Sequence, residues 1–274
     1  MPLISLSHLE HDLQKKYVLS CLADIWQEMG LTVHVGPGFA ENADLCVLHH
    51  NITRMSPTDV PTAPKGVRVL NGEVLDISKR RYSALRLQPG DDWDGPVIVK
   101  SNLNHFGAPE QRNLPRRTQL RMKAQRHLAR LNWDLARTLP KKTYPLLESL
   151  DKVPGWVWER EDLLVERFMP ERESDHYCLR GWLFFGSASY GYRLVASDPL
   201  VKVGTMVRYE YIDDVPPELL RHREEMKFDF GKFDYVIHDG RAILLDANKT
   251  PSFAGDRRSE RILRLARAVE EFLP

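Results

Sequence analysis

The chain has 274 residues, of which 39 are Lys or Arg and 38 are Asp or Glu, giving a formal net charge of +1. That length can bury a full core as one large domain or two to three lobes, and the charge balance favours no polyanion in bulk. The three cysteines, Cys21, Cys46 and Cys178, have no metal-type spacing and point to a reducing compartment. No apolar run reaches the roughly 20 residues that span a bilayer, and the start does not read as a secretory signal. A soluble, cytoplasmic protein is expected.

In chain order, Leu3–Leu6 reads as a short strand, and a helix follows from about His8 to Met29. Val18, Leu22, Ile25 and Met29 fall on one face of it, and Gly30 closes it. Three β-rich runs come next: Leu31–Val35, Asp44–His50 and Val67–Leu70. Together they predict a small open α/β lobe with a partly parallel sheet over residues 1–75. Gly36-Pro37-Gly38 is not a nucleotide fingerprint and reads as a turn. His34, His49 and His50 lack spacing partners and read as solvated or core histidines.

Asp76-Ile77-Ser78-Lys79-Arg80-Arg81 opens a short helix, with Asp76 or Ser78 as its cap. Pro96–Lys100 reads as a buried strand ending on a lysine, before a loop of small and polar residues, Ser101–Pro109. A lysine there suits a phosphate oxygen as well as it suits a snorkelling edge position. Pro115 opens a long helix expected to reach about Leu139. Leu120, Ala124, Leu128, Leu131 and Leu135 form its apolar stripe, with Lys123, Arg126, Arg130 and Arg137 opposite. Arg112 to Lys142 holds ten basic residues and one acid, Asp134. Its only aromatic residue is Trp133, which argues against nucleic-acid binding and for a solvated face.

Leu163–Met169 reads as a strand with Glu166 in an apolar setting, where an unpaired carboxylate would be costly. Tyr177–Phe185 and Tyr190–Val195 read as antiparallel strands. Arg180 and Arg193 on them either point into a cleft or pair with acids. Near the end, the apolar runs Tyr235–Ile237 and Ala242–Leu245 flank Asp239-Gly240, a strong hairpin signal. Asp246 and Asn248 are two apart on a strand and therefore share a face, with oxygen ligands suited to a hard cation. A two-residue turn would pair Asp234 with Leu245 and face it away from Asp246. An odd loop, His238-Asp239-Gly240, restores them to one face and is therefore predicted. Ser259–Leu273 reads as a closing helix.

Taken in order, Lys79, Lys100, Glu166 before Met169-Pro170, Asp234, and the run Leu244–Pro251 resemble the ATP-grasp superfamily, in particular its carboxylate–amine ligases of the D-alanine–D-alanine ligase and glutathione-synthetase type. The resemblance covers about Asp76 to Pro251. It implies an α+β ATP-grasp fold with lobes at 76–165 and 166–274, behind the α/β lobe at 1–75. It also implies that Lys79 and Lys100 hold the ATP α- and β-phosphates, and that Glu166 is the hinge glutamate with the backbone of Arg167, Phe168 and Met169 along the adenine edge. Glu173 would hold the ribose hydroxyls, with Asp175 a weaker candidate. Asp234, Asp246 and Asn248 would bind two Mg2+ ions, for which Mn2+ can substitute. Loop 101–107 stands in the place of the flexible phosphate cover. Lys232, Arg193 and Arg180 are candidates for steadying the acyl phosphate or the substrate carboxylate.

The implied activity is ATP-dependent joining of a small-molecule carboxylate to an amine through an acyl phosphate, in peptide or natural-product biosynthesis. A homodimer is compatible with the resemblance. Two alternatives stay open: phosphoryl transfer to a hydroxyl on the same fold, and nucleotide binding without turnover.

Overall fold

The computed structural model describes residues 1–9, 13–112, 114–141 and 143–273, with Val203 described by its backbone alone. Positions 10–12 of the expected first helix, and Lys142 of the basic run, lie outside the described residues. The first sheet is built from β1 (Leu3–Ser7), β2 (Thr32–Gly36), β3 (Leu45–Leu48) and β4 (Val69–Leu70), all parallel, in the order β2-β1-β3-β4. Helix α1 (Val18–Glu28) starts later than the pattern predicts. Tyr17 is extended and bridges Ser252, and the Val18 amide donates to the Pro251 carbonyl. Gly30 ends the helix region with φ +89°, a conformation open to glycine at little cost.

The second sheet follows α2 (Lys79–Tyr82). It contains β5 (Arg86–Leu87), β6 (Val97–Ser101), β7 (Leu146–Leu147) and β8 (Leu163–Arg167), antiparallel in the order β5-β8-β6-β7. Between β6 and β7 lie α3 (Ala108–Gln111) and α4 (Arg116–Leu128); α5 (Gly155–Trp158) precedes β8. The long helix expected from Pro115 to Leu139 is therefore short, and its packing differs from the pattern. Leu120 and Leu128 are exposed, as are Leu131 and Leu135 beyond its end, while Met122, Gln125 and Arg126 face the protein. On that inward side Arg126 donates to the Phe106 carbonyl at 2.8 Å.

The third sheet contains β9 (Glu171–Glu173), β10 (His176–Phe185), β11 (Ala188–Ala196), β12 (Met206–Ile212), β13 (Phe230–His238) and β14 (Arg241–Asn248). Its order is β12-β11-β10-β13-β14, with β9 also on β10. One face packs Trp182, Phe184, Phe233, Tyr235, Leu244 and Ala247 against Leu219 of α6 (Pro217–Glu225) and Tyr82 of α2. The other face packs Leu183, Phe185, Tyr190 and Phe230 against α1 and α7 (Glu260–Arg267), so a single core joins the parallel sheet to this one. The Trp26 indole donates to the Ala266 carbonyl at 2.9 Å across that junction. Along β13 this second face continues from Phe230 to Lys232 and Asp234, where it leaves the core. Among the described residues no helix is long and apolar enough to cross a membrane.

The β13–β14 hairpin corrects one expectation. His238 pairs with Arg241, so the turn has only two residues, and Asp239 (φ 49°) and Gly240 (φ 73°) both take the positive φ of a type I′ turn. The odd residue sits further down: Tyr235 pairs with Leu244 but Asp234 pairs with Asp246, leaving Leu245 as a bulge. Asp-Gly satisfies the tight turn, and the bulge shifts the register beyond it. Leu245 and Asp246 both leave the core face, to which Leu244 and Ala247 belong.

Gly181 of β10 lies opposite both Tyr192 and Asp234. A Cβ there would come within 2.2 Å of the Tyr192 ring, so glycine is what lets this ring lie across β10. Gly181→Ala is expected to displace the ring and cost roughly 1–3 kcal/mol of stability, read as a lower urea midpoint. Tyr192→Ala in the same chain should recover most of that loss.

Candidate nucleotide and metal site

Four charged side chains meet on the exposed end of the β13–β14 face. Lys232 Nζ lies 2.8 Å from Asp234 Oδ2, and Lys79 Nζ, delivered by the first turn of α2, lies 2.6 Å from Asp246 Oδ1. The register opposes Asp234 to Asp246 and Lys232 to Asn248, so all four β positions share one face. Burial alone would lower both lysines, but the carboxylates reverse this and hold Lys79 and Lys232 above the usual lysine range. The two carboxylates split. Burial, reinforced by Asp246, raises Asp234 more than Lys232 lowers it; burial also opposes ionisation of Asp246, but Lys79 wins and holds it low.

Asn248 completes the row from within. Its Oδ1 accepts from the Thr250 amide at 2.9 Å, which orients the carboxamide. Loop 101–107 comes close from above. Burial pushes the His105 imidazole down; Asp246 opposes the shift, and Lys16, Lys79 and Lys232 add to it. His105, Phe106 and Gly107 form a left-handed turn with φ of 45°, 58° and 72°. Asn104 anchors it: its amide donates to Thr53 Oγ1 and its side chain to Asn51 Oδ1, each at 2.8 Å. Two non-glycine residues in succession at positive φ are costly, and these contacts to the first lobe hold them.

Beside this charged row lies an apolar cavity of about 230 Å³ between the second and third sheets. Leu85, Ile98, Phe168, Met169, Val236 and Leu245 line it, with Lys100 at the wall. Lys100 Nζ is 2.6 Å from Glu166 Oε2, so the buried glutamate of β8 has the cation its setting demands. Tyr144 connects the two halves. It stacks on Phe106 at 4.6 Å, and burial pushes its phenol up to about 12 in the combined field of Lys79, Asp246 and Glu166.

The structure thus groups Lys79, Lys232, Asp234, Asp246 and Asn248 in one cluster, and Lys100, Glu166, Arg167, Phe168 and Met169 at the adjoining cavity. It does not bring Arg180, Arg193 or Glu173 there. Arg180 opposes Tyr235 and Arg193, on the face turned away from Asp234. Its guanidinium grips Glu171 with contacts of 2.8 and 3.0 Å, and Arg193 reaches Glu171, Glu173 and Glu210. Glu173 is held between Arg193 and Arg208, away from the cavity wall. These three side chains form an ion-pair network that ties β9 to β10, β11 and β12.

Sequence reading missed Tyr144, His105, Tyr192 and Leu245. Only Leu245 left a signal, in the parity conflict of the hairpin. A cation would find two carboxylates and one carboxamide here, and no described group of three or more His, Cys, Asp or Glu is arranged to hold a metal alone. Such a donor set fits a cation that brings further oxygen ligands with it, as Mg2+ does with phosphates.

No family model matches the sequence, and neither does any curated protein. Solved structures do match. A RimK-domain ATP-grasp protein of Sphaerobacter thermophilus is similar over 99% of this chain and 99% of its own, at 12% identity and a TM-score of 0.52. The macrocyclase MdnC of Microcystis aeruginosa, solved bound with precursor peptide MdnA, is similar over 100% of this chain and 99% of its own, at 9% identity and a TM-score of 0.53. D-alanine–D-alanine ligase of Bacillus anthracis, complexed with ATP, covers 99% of this chain and 96% of its own at 11% identity, with a TM-score of 0.48. On its likeness to the RimK-domain structure, this chain has the ATP-grasp fold.

The network on the far face has a pH signature. Burial opposes ionisation of Glu171, but Arg180, the Ile237 amide at 2.9 Å and Arg193 together hold its carboxyl below the ordinary 4.5. A depressed carboxyl contributes stability that is present above the unfolded pKa and lost as pH falls through the folded one. Glu171→Gln should therefore cost about 3 kcal/mol at pH 7, measured by urea unfolding. That difference should shrink as the pH is taken below 4.5.

Proposed function

We propose that the chain is an ATP- and Mg2+-dependent ligase that joins a carboxylate to an amine on amino-acid-like or peptide substrates. The observation that carries this reading is the junction of two unlike environments. An apolar cavity with a strand-to-loop backbone at its wall opens beside two carboxylates that are each already held by a lysine. A flat heterocycle suits the first and a metal-bound polyphosphate the second. In this reading the backbone of Arg167–Met169 meets the adenine edge, and Lys79, Lys100 and Lys232 serve the phosphates. Asp234, Asp246 and Asn248 hold Mg2+, which when bound offsets charge on the phosphate oxygens.

The lysines have a second task. With phosphate present, Lys79 and Lys232 can exchange carboxylate oxygens for phosphate oxygens, leaving Asp234 and Asp246 free for the cation. Charge is conserved in that exchange, and no buried group is left unpaired. A carboxylate resists nucleophilic attack because attack would add charge to an anion. Transfer of the γ-phosphoryl to it gives an acyl phosphate; the amine then attacks the acyl carbon, the amide C–N bond forms, and phosphate leaves with its oxygen. Positioning and electrostatics carry such a reaction, so no Ser-His-Asp or Cys-His nucleophile is required.

The acceptor side of the same reading falls on β11 and β12. Tyr192 and Tyr209 lie nearly parallel, with centroids 5.5 Å apart, and form a floor that runs from solvent to Lys232. We assign the amine substrate to this floor, where flat apolar groups pack at low entropic cost.

An ADP-release screen over pairs of amino acids and short peptides, with Mg2+, tests the reading. The expected product set is ADP, phosphate and an amide. Asp246→Ala should lower turnover by roughly 100-fold or more, whereas Arg180→Ala, on the opposite face, should leave kcat within about threefold at a temperature where it is folded. ADP with a phosphorylated product would instead mean phosphoryl transfer, and no turnover above the Asp246→Ala blank would remove the ligase reading.

A further inference from the structure

Helix α4 buries none of its residues. The leucines that the sequence pattern assigns to a core stripe are open to solvent: Leu120 by 60%, Leu128 by 61%, Leu131 by 89% and Leu135 by 83%. Isolated exposed leucines need no explanation, but four of them between residues 120 and 135 do. The row is flanked by cations. Residues 112–142 hold ten basic side chains and one acid, which leaves 29 basic against 37 acidic residues in the rest of a nearly neutral chain. The one acid is already engaged, since Asp134 accepts from the Trp156 indole at 2.7 Å. Next to α4 is a cavity of about 250 Å³ walled by Arg112, Lys123, Arg126, His127 and Lys141, and no acidic residue lines it.

We propose that α4 and the segment following it form a docking surface for an acidic, amphipathic peptide segment of another protein. The occupant's carboxylates pair with Arg121, Lys123 and the cavity, and its apolar side chains cover Leu120 and Leu128. Charge complementarity selects an acidic partner, and the leucine row selects a polypeptide over a nucleic acid. Nucleic-acid grooves combine cations with aromatic side chains that stack on bases. The one aromatic residue of this segment, Trp133, is packed edge-on against Trp156 with centroids 5.5 Å apart. The surface also has a mechanical connection. Arg126, in the cavity wall, holds the Phe106 carbonyl, and Phe106 lines the apolar cavity beside the carboxylate row. Arg126 thus links the proposed surface to the wall of that cavity, and the surface does not depend on what that site catalyses.

The test is fluorescence anisotropy on the full chain with three labelled probes: an acidic peptide carrying leucines at helical spacing, a polyglutamate of equal length, and a single-stranded oligouridine. At about 50 mM salt the leucine-bearing peptide should bind most tightly, and screening at about 500 mM should weaken it at least tenfold. Arg121→Glu with Lys123→Glu should abolish binding, and Leu120→Ser with Leu128→Ser should weaken it about tenfold. All four side chains are exposed, so each variant should keep the wild-type unfolding midpoint. Equal or tighter binding of oligouridine, an unchanged affinity in the leucine variant, or no peptide binding at low salt would overturn the proposal. So would self-association of the chain that the same substitutions abolish, since the acidic partner would then be a second copy.

Discussion

Everything at the candidate site depends on two carboxylates of neighbouring strands facing the same way. In an antiparallel ladder a tight Asp-Gly turn makes that impossible for Asp234 and Asp246, because the register would oppose Asp234 to Leu245. One extra residue cures it, and the fold places that residue at Leu245 rather than in the turn. The position is economical in structural terms. The bulge corrects the register just before the acidic residue and turns a leucine toward the apolar cavity. The core face loses nothing, since Leu244 and Ala247 still pack there. A single irregularity thus serves the carboxylate row and the cavity wall together.

Lysines then govern how those carboxylates behave. Two half-buried acids on neighbouring strands repel each other, and the field of Asp246 helps to raise Asp234. Lys79 and Lys232 resolve this by taking one carboxylate each, so the row carries two negative and two positive charges. The two lysines come from different elements, α2 and β13. Loop 101–107 adds a further constraint. It stands over the row but is pinned to the first lobe through Asn51 and Thr53, so it is an ordered shelf rather than a free flap.

Much of the fold was legible in the sequence. The strand periodicities, the Asp239-Gly240 hairpin and the order of lysines, glutamate and acidic strand end all have local causes. So do Lys100 and Glu166, whose ionic character in apolar runs announces that each needs a partner; they prove to be each other's. What the sequence could not show depends on register and on distant packing. Arg180 and Arg193 lie one residue off the parity of the site, and only the pairing with Tyr235 reveals their face. Glu173 has the expected spacing from Glu166, yet it is captured by arginines from β11 and β12. Helix α4 has an apolar stripe in sequence, yet Leu120 and Leu128 are exposed while Arg126 on the other side reaches the Phe106 carbonyl. Tyr144 had no local signal, since its role comes from a long loop returning beside β6.

In the proposed reading the carboxylate row is an incomplete cage that binds a cation only together with a phosphate chain. Calorimetric titration of the chain with ATP, in Mg2+ and again in EDTA, tests it most directly. ATP should bind in a manner that depends on Mg2+, with Mg2+ alone binding weakly because too few oxygens are supplied by the protein. ATP affinity that is the same in EDTA as in Mg2+ would contradict it.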